Sequence, residues 1–235
     1  MEENQINYAP VSVLSEEQKA VFYRKTYSHL AGALLAFIVV EYFLLQVPFI
    51  VELTVRATQG FWWLLMIGGF AFITNYAERM ALSNTYEPNK QYTAMFIYII
   101  AEAIIFVPLI YYITKFTEDG GKNVLSQAFI LTAALFSGIT AVAFLSKRDF
   151  SFLRGVLTIS TFVALGLIIA GMIFGFDLGL WFSAGMVVIA AISILYQTSQ
   201  MIHKYQENQY VAASLGLLGS FLLLFWYILS IFSRD

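Results

Sequence analysis

Long apolar segments recur along most of this chain, and they constrain its fold more than any other feature. Seven of them follow a polar start, at residues 26–47, 60–76, 92–113, 126–145, 152–174, 178–202 and 210–232. About 20 apolar residues in a helix, rising ~1.5 Å each, cross a hydrocarbon core of ~30 Å. The apolar runs are continuous rather than alternating, which excludes the strands of a membrane barrel. The sequence therefore predicts an all-α, polytopic membrane protein with seven transmembrane helices.

The composition excludes several other classes of protein. Apolar residues make up 60% of the chain and charged residues 12%, whereas a soluble domain has about 45–50% and about 25%. A water-soluble globule, a disordered chain and a coiled coil are therefore excluded. The chain has no cysteine, which excludes disulfide scaffolds and thiolate metal sites. Its net charge of −2 gives no reason to expect nucleic acid as a partner.

Charged residues predict the domain limits and the orientation in the bilayer. The polar residues 1–25 form a predicted cytoplasmic N-terminal tail, and residues 26–235 form the transmembrane domain. Ser15 and Gln18 have the spacing of a capping box, so a helix should begin near Glu16. Nine Lys and Arg residues on one side against four on the other place the N-terminus in the cytoplasm. With seven spans in the cell inner (plasma) membrane, the C-terminus then lies outside.

The last span carries small residues at every fourth position, namely Ala212, Gly216 and Ser220. Small side chains allow helices in lipid to approach closely. These residues therefore predict a helix-packing face within the bundle. A homodimer seam on the same face is the alternative.

Two carboxylates occur inside predicted spans. Glu102 lies about ten residues, or ~15 Å, into the third span, and Glu41 lies in the outer third of the first. Inserting an ionisable side chain at such depth costs about 2.5–3.5 kcal/mol of free energy on insertion scales, so its presence indicates a specific role. Both glutamates are candidate ion or proton sites. The alternative is a protonated or hydrogen-bonded glutamate that faces the bundle.

A polar stripe on the sixth span gives a second candidate site. Residues spaced three or four apart share one helical face, and Ser193, Gln197, Gln200 and Lys204 have this spacing. The predicted cytoplasmic-side polar cluster adds residues from other helix ends: His29, Arg79 and Arg154. It would line an inner vestibule or a docking surface. The alternative is that the arginines extend to the interface and the histidine is an ordinary interfacial residue.

Motifs for several enzyme classes are missing from the sequence. The span 210–232 has no lysine to bind retinal, and the aspartates occur only in predicted loops or at the chain end. The two histidines lie at the inner interface, away from the deep serines. Neither an HExxH zinc motif nor a GxxxxGK[ST] phosphate loop is present. We therefore expect a protein that is not an enzyme and has neither a cofactor nor a structural metal.

Four short motifs, in order, resemble the Bax inhibitor-1 family. They most resemble its bacterial, YccA-like branch, which contains the modulator of the FtsH membrane protease. The motifs are RKTY at residues 24–27, KRDFSFL at 147–153, ILYQTSQMIH at 194–203 and SIFSRD at 230–235. The similarity extends from about residue 20 to the end of the chain.

This resemblance implies seven helices with the last one surrounded by the others, and one of two activities. Some family members are pH-sensitive calcium leak channels that use an aspartate pair on helices 6 and 7. This chain has Gln197 at the first position and no acidic residue from Leu218 to Ser220 at the second. The first interpretation is therefore an inner-membrane modulator of an FtsH-like protease, whose tail the protease would engage. The alternative is a leak for calcium or protons through the lipid bilayer.

Overall fold

The computed structural model describes residues 9–83, 87–117, 119–146 and 148–234 of the 235-residue chain. In these residues, a short 3-10 helix at Val11–Val13 precedes eight α-helices. The helices are α1 (Glu16–Leu44), α2 (Pro48–Ala57), α3 (Phe61–Ser83), α4 (Pro88–Phe116), α5 (Lys122–Ser146), α6 (Leu153–Phe174), α7 (Gly179–His203) and α8 (Tyr210–Phe232). The predicted all-helical fold is confirmed.

Six helices are long and apolar enough to cross a bilayer, namely α1 and α4 to α8. The remaining two, α2 and α3, meet at a bend of 109° and would together make a seventh span. The count of seven spans stays a prediction. The helix α2 is not among the predicted spans, because it has only ten residues and contains an ion pair between Glu52 and Arg56.

The start of α1 matches its predicted capping box. The Gln18 backbone N–H donates to Ser15 Oγ at 3.3 Å, and the Ser15 N–H donates back to Gln18 Oε1 at 3.0 Å. The preceding segment packs against the loop between α7 and α8. There the Val11 N–H donates to the Tyr205 carbonyl at 2.9 Å, and the Val11 side chain is fully buried. Residues 1–8 of the predicted tail lie outside the described residues.

The last helix, α8, forms the centre of the bundle, as the family resemblance implies. It contacts α1, α3, α4, α5 and α7, and most of its residues are buried. The helix α6, by contrast, lies at the periphery of the bundle. Ala164 is its one buried residue, and the helix packs chiefly against α7. The outer surface of the bundle is thus apolar, as contact with lipid requires.

The described chain begins and ends at opposite ends of the bundle. Arg234 forms an ion pair with Asp177 in the loop between α6 and α7, at 3.6 Å. Val11 contacts Tyr205 beyond the other end of α7, and the 25 residues of α7 span ~37 Å. We call these the C-terminal end and the N-terminal end of the bundle.

The turn between α6 and α7 is tight, which agrees with the three residues that separate the predicted spans 152–174 and 178–202. Gly175 ends α6 in the left-handed conformation with φ of 72°, which a residue without a Cβ adopts at no steric cost. The Asp177 side chain then accepts a hydrogen bond from the Gly179 N–H at 3.1 Å. The two helices pack as antiparallel neighbours.

Candidate functional site

A cavity of about 450 Å³ lies inside the bundle between α3, α4, α6, α7 and α8. Most of its lining is apolar, but each of the five helices contributes polar side chains. The polar lining consists of Thr74, Glu78, Tyr98, Glu102, Ser160, Thr161, Ser193, Gln197, Ser220 and Tyr227. Five predicted site residues from three helices therefore meet at this cavity, namely Glu102, Ser193, Gln197, Gly216 and Ser220.

Glu102 lies at the midpoint of α4, and only 4% of its surface is exposed. The hydroxyl of Tyr98, one helical turn earlier, is a hydrogen-bond partner of its carboxylate. Glu78 of α3 lies near enough for its carboxylate to interact electrostatically with that of Glu102. The cavity thus holds two carboxylates in a low-dielectric surrounding, where their mutual repulsion is only weakly screened.

Glu78 is a residue of the cavity that was not predicted from the sequence. The second predicted span ended at residue 76, whereas α3 continues to Ser83 and keeps Glu78 within the bundle. The signal that would have found it is helical spacing: Thr74 and Glu78 lie one turn apart and both line the cavity.

Small residues of α8 make room for the polar side chains of the cavity. A Cβ added at Gly216 would lie 2.6 Å from Gln197 Oε1, and one added at Gly219 would overlap the Tyr98 hydroxyl oxygen. Ser220 Oγ donates to the Gly216 carbonyl at 2.9 Å. Its oxygen then accepts from Ser193 Oγ, 2.8 Å away, because a hydroxyl has one hydrogen to donate.

The predicted packing face on α8 is therefore an internal one. Ala212, Gly216 and Ser220 face the interior of the bundle, and Ala212 is 3% exposed. Since the partners of Gly216 and Ser220 belong to α7 of the same chain, this face is already covered and does not offer a homodimer seam.

Two tryptophans separate the cavity from a second one. Trp63 of α3 and Trp226 of α8 stack with ring centroids 6.5 Å apart and an interplanar angle of 22°. Both rings line the first cavity and also a second cavity of about 430 Å³ at the C-terminal end, between α2, α3, α4 and α8. The stacked rings thus form an apolar partition between the two spaces.

The other predicted carboxylate, Glu41, does not reach the cavity. It lies three residues before the end of α1 and is 6% exposed. Among the described residues, neither of its carboxylate oxygens has a hydrogen-bond partner. Glu41 and Glu102 are therefore separate features, although both are buried acids of predicted spans.

The predicted cytoplasmic-side cluster is divided into separate groups. Only Ser193 and Gln197 of its members line the cavity. Further along α7, the same stripe meets the loop between α5 and α6. There Gln200 Nε2 donates to Ser151 Oγ at 2.9 Å, and Lys204 Nζ lies 3.1 Å from Asp149 Oδ2. The residues of the stripe have different partners because α7 borders the cavity along one part of its length and the loop between α5 and α6 along another.

The remaining members of the predicted cluster have other surroundings. His29 Nδ1 donates to the Lys25 carbonyl at 2.7 Å, so the neutral ring accepts at Nε2 from the Tyr92 hydroxyl at 3.0 Å. The side chains of Arg79 and Arg154 are exposed. None of the three lines the cavity.

The loop that meets α7 is itself held by hydrogen bonds. Asp149 accepts from the Ser151 hydroxyl at 2.5 Å and from the Ser151 N–H at 2.8 Å, and these bonds lower the Asp149 pKa to about 2. The Phe150 N–H donates to Ser199 Oγ at 2.8 Å. Lys147 of the same motif lies outside the described residues, as does Asp235 of the last motif.

The chemistry of the cavity suits a proton or a hard cation. Carboxylate, amide and hydroxyl oxygens are ligands that such cations prefer, and Glu78, Glu102 and Gln197 supply them. Within the described part of the chain, no group of three or more His, Cys, Asp and Glu residues is close enough to hold a metal ion. Any cation here would depend on neutral oxygens and water for its other ligands.

A buried central helix within a bundle of apolar helices defines a polytopic helical membrane protein. The family model described as "Inhibitor of apoptosis-promoting Bax1" matches residues 19–235. The chain therefore belongs to the Bax inhibitor-1 family, as its motifs indicate. The narrower resemblance to the YccA-like branch stays a prediction.

Curated relatives agree with this family. The uncharacterized protein PA2604 of Pseudomonas aeruginosa is 39% identical over 113 residues, which are 48% of this chain and 50% of that protein. The Golgi anti-apoptotic protein of Vaccinia virus is 34% identical over 114 residues, 46% of each chain. Bax inhibitor 1 of Schizosaccharomyces pombe is 31% identical over 114 residues, 46% of this chain and 42% of that protein. The chain spans about half the length of these relatives.

Proposed function

We propose that this protein is a non-enzymatic cation leak of the inner membrane, with Glu102 as the ligand within the bundle. One observation carries the proposal. Glu102 is almost fully buried at the midpoint of a membrane helix, yet it faces a cavity and a second carboxylate, Glu78. Placing an ionisable group at such depth in a membrane costs free energy, and groups of this kind commonly mark ion or proton pathways.

The arrangement of the two cavities supports a pathway that is closed in this conformation. A cation would occupy the polar part of the first cavity beside Glu78 and Glu102. It would then have to pass the stacked rings of Trp63 and Trp226 to reach the second cavity. An apolar constriction of this kind closes a pore by excluding water. Movement of α3 against α8 would open it, since each helix carries one of the two rings.

The two glutamates also supply a carboxylate pair in a chain that lacks the aspartate pair of the channel-forming family members. The family resemblance places that pair at Gln197 and near Leu218 to Ser220, where this chain has no acid. Glu78 and Glu102 bring two carboxylates to the same cavity from α3 and α4. We propose that these two take the place of the pair in binding protons or calcium.

Ion flux into liposomes tests this function. Purified protein in vesicles that contain a calcium or pH indicator should admit the ion, and Glu102→Gln should abolish the flux. Glu41→Gln is the matched control, because Glu41 is equally buried but lies away from the cavity. Absence of flux at every pH, or equal flux in Glu102→Gln and wild type, would contradict the proposal.

A second function, modulation of an FtsH-like protease, is favoured by the N-terminal segment. Val11 is buried against the loop that leads into α8, the most buried helix. A protease that pulled on the tail would therefore have to unpack this segment and then the central helix. We propose that the tail engages the protease while the bundle resists extraction, so that other substrates are degraded more slowly.

Deletion of residues 2–8 tests this second function. The deletion leaves Val11 and the Ser15 capping box in place, so the fold should persist. Copurification with an FtsH-like protease should fall, together with the inhibition of that protease. Undiminished binding and inhibition would rule out a role for residues 2–8 of the tail.

A further inference from the structure

We infer that the first cavity is a binding site for a single-chain amphiphile with a cationic, ammonium-type head group. The cavity has a polar half and an apolar half, and the division runs the same way on every helix around it. On α3 the lining changes from Glu78 to Trp63 towards the C-terminal end, and on α7 it changes from Gln197 to Met186. The helices α4 and α6 repeat the change, and α8 does so as far as Trp226, which is followed by Tyr227.

The polar half fits a cationic head group. Its acidic side chains are Glu78 and Glu102, and among the described residues its lining contains no lysine, arginine or histidine. An ammonium group has three N–H donors and no acceptor. Glu78, Glu102 and the Gln197 amide oxygen offer three acceptors in the same half. An anionic head group would find two carboxylates and no positive charge.

The apolar half fits a hydrocarbon chain. The Glu102 carboxylate lies at the level of Gly219, and Trp226 follows seven residues later on α8, ~10 Å further along the axis. Beyond Ser193 and Ser220, the lining on α4 and α7 towards this level is apolar and includes Ile105 and Met186. A volume of about 450 Å³ falls within the range of ~300–1,000 Å³ typical of small-molecule sites, which are mostly apolar with a few placed polar groups.

The cavity is open sideways, between α3 and α6. Both helices line it, but α6 packs chiefly against α7 and α3 packs chiefly against α4. The lining residues Ala71 of α3 and Thr161 of α6 are exposed. An amphiphile could therefore enter from the lipid phase with its chain already in an apolar medium.

This inference uses the cavity of the proposed pathway but does not require conduction. A bound amphiphile would fill the space that a cation needs, and it would therefore block the leak. Binding is measured without any ion gradient, so its failure and the failure of the proposed function are distinguishable.

Tryptophan quenching in lipid nanodiscs tests the site. In a Trp62→Phe, Trp181→Phe background, the remaining tryptophans are Trp63 and Trp226, which line the cavity. The probes are a brominated dodecylamine and the brominated dodecanoic acid of equal chain length. The amine should quench at a mole fraction at least about tenfold lower than the acid, as expected from charge-assisted hydrogen bonds.

Substitutions of the carboxylates complete the test. Glu78→Gln with Glu102→Gln should abolish the preference for the amine, whereas Glu41→Gln should retain it. As a second measurement, dodecylamine should raise the unfolding temperature of the otherwise unaltered protein but not that of the double variant. Equal quenching by amine and acid, or a preference that survives in the double variant, would overturn the inference.

Discussion

At the scale of single residues, two glycines of α8 matter because side chains of neighbouring helices occupy the space that their own side chains would fill. Gly219 faces the Tyr98 hydroxyl so closely that a Cβ would overlap it, whereas a Cβ added to Gly68 of α3 would lie more than 4 Å from every described atom outside its own helix. Both are helical glycines in apolar spans. They differ in whether another helix occupies the space of the missing side chain.

We predict that Gly219→Ala destabilises the protein by about 1–3 kcal/mol, the usual cost of overpacking a core. Gly68→Ala should leave the stability unchanged or raise it, because alanine is the better helix former. Thermal unfolding in detergent measures both variants. Adding Tyr98→Phe should recover part of the loss in Gly219→Ala, since it removes the overlapping oxygen. Equal stability of Gly219→Ala and Gly68→Ala would contradict this account.

Sequence reasoning found some residues of the cavity and missed others for physical reasons. Glu102 was identifiable because a charge inside an apolar run is conspicuous whatever surrounds it. Glu78 was missed because it lies where the apolar run fades and the helix continues. The roles of Gly216 and Gly219 depend on side chains from other helices, and no local pattern specifies which helix will be the neighbour.

At the scale of elements, the loop between α5 and α6 holds the end of α7. Three contacts join them: Phe150 to Ser199, Ser151 to Gln200 and Asp149 to Lys204. The sequence alone indicated a polar stripe on α7 but not its partner. A polar stripe indicates that this face of the helix does not contact lipid. It does not specify whether the neighbour is water, a loop or another helix.

We predict an acid-dependent weakening of this contact. The hydrogen bonds from Ser151 hold the Asp149 pKa at about 2, below its usual 3.8. A group whose pKa is lowered on folding stabilises the folded state above its unfolded pKa, and the effect is lost as the pH falls towards the folded pKa. Between about pH 4 and pH 2, wild type should therefore lose more thermal stability than Asp149→Asn. Parallel losses in the two proteins would show that Asp149 contributes nothing.

The short helix α2 shows another limit of sequence reasoning. Pro48 lies in the first turn of α2, where proline commonly marks the start of a helix. A segment of ten residues with two charges is nevertheless too short and too polar to be predicted as a membrane span. Long periodic or apolar runs predicted the extent of α1 and α4 to α8 to within several residues at most ends. The bend between α2 and α3 depends on packing against α4, which the sequence does not reveal.

At the scale of the whole molecule, the two ends of the described chain lie at opposite ends of the bundle. We predict that they also lie on opposite sides of the membrane. The chain has no native cysteine, so Val13→Cys and Ser233→Cys are clean single-site probes. A membrane-impermeant thiol reagent added to one side should label only one of them. Labelling of both from the same side would contradict the seven-span topology and the orientation that depends on it.

The central claim is that the carboxylate-bearing cavity inside the apolar bundle is part of a cation pathway, and such a pathway must admit water. The most direct test is the reactivity of Ser193→Cys towards an impermeant thiol reagent, with Phe72→Cys as the control on the exposed apolar surface of α3. Such reagents attack the thiolate, which forms in water but not in hydrocarbon. The account predicts that Ser193→Cys reacts from at least one side of the membrane while Phe72→Cys stays unreactive from both. If Ser193→Cys were as unreactive as Phe72→Cys from both sides, the cavity would be dry and the claim would be wrong.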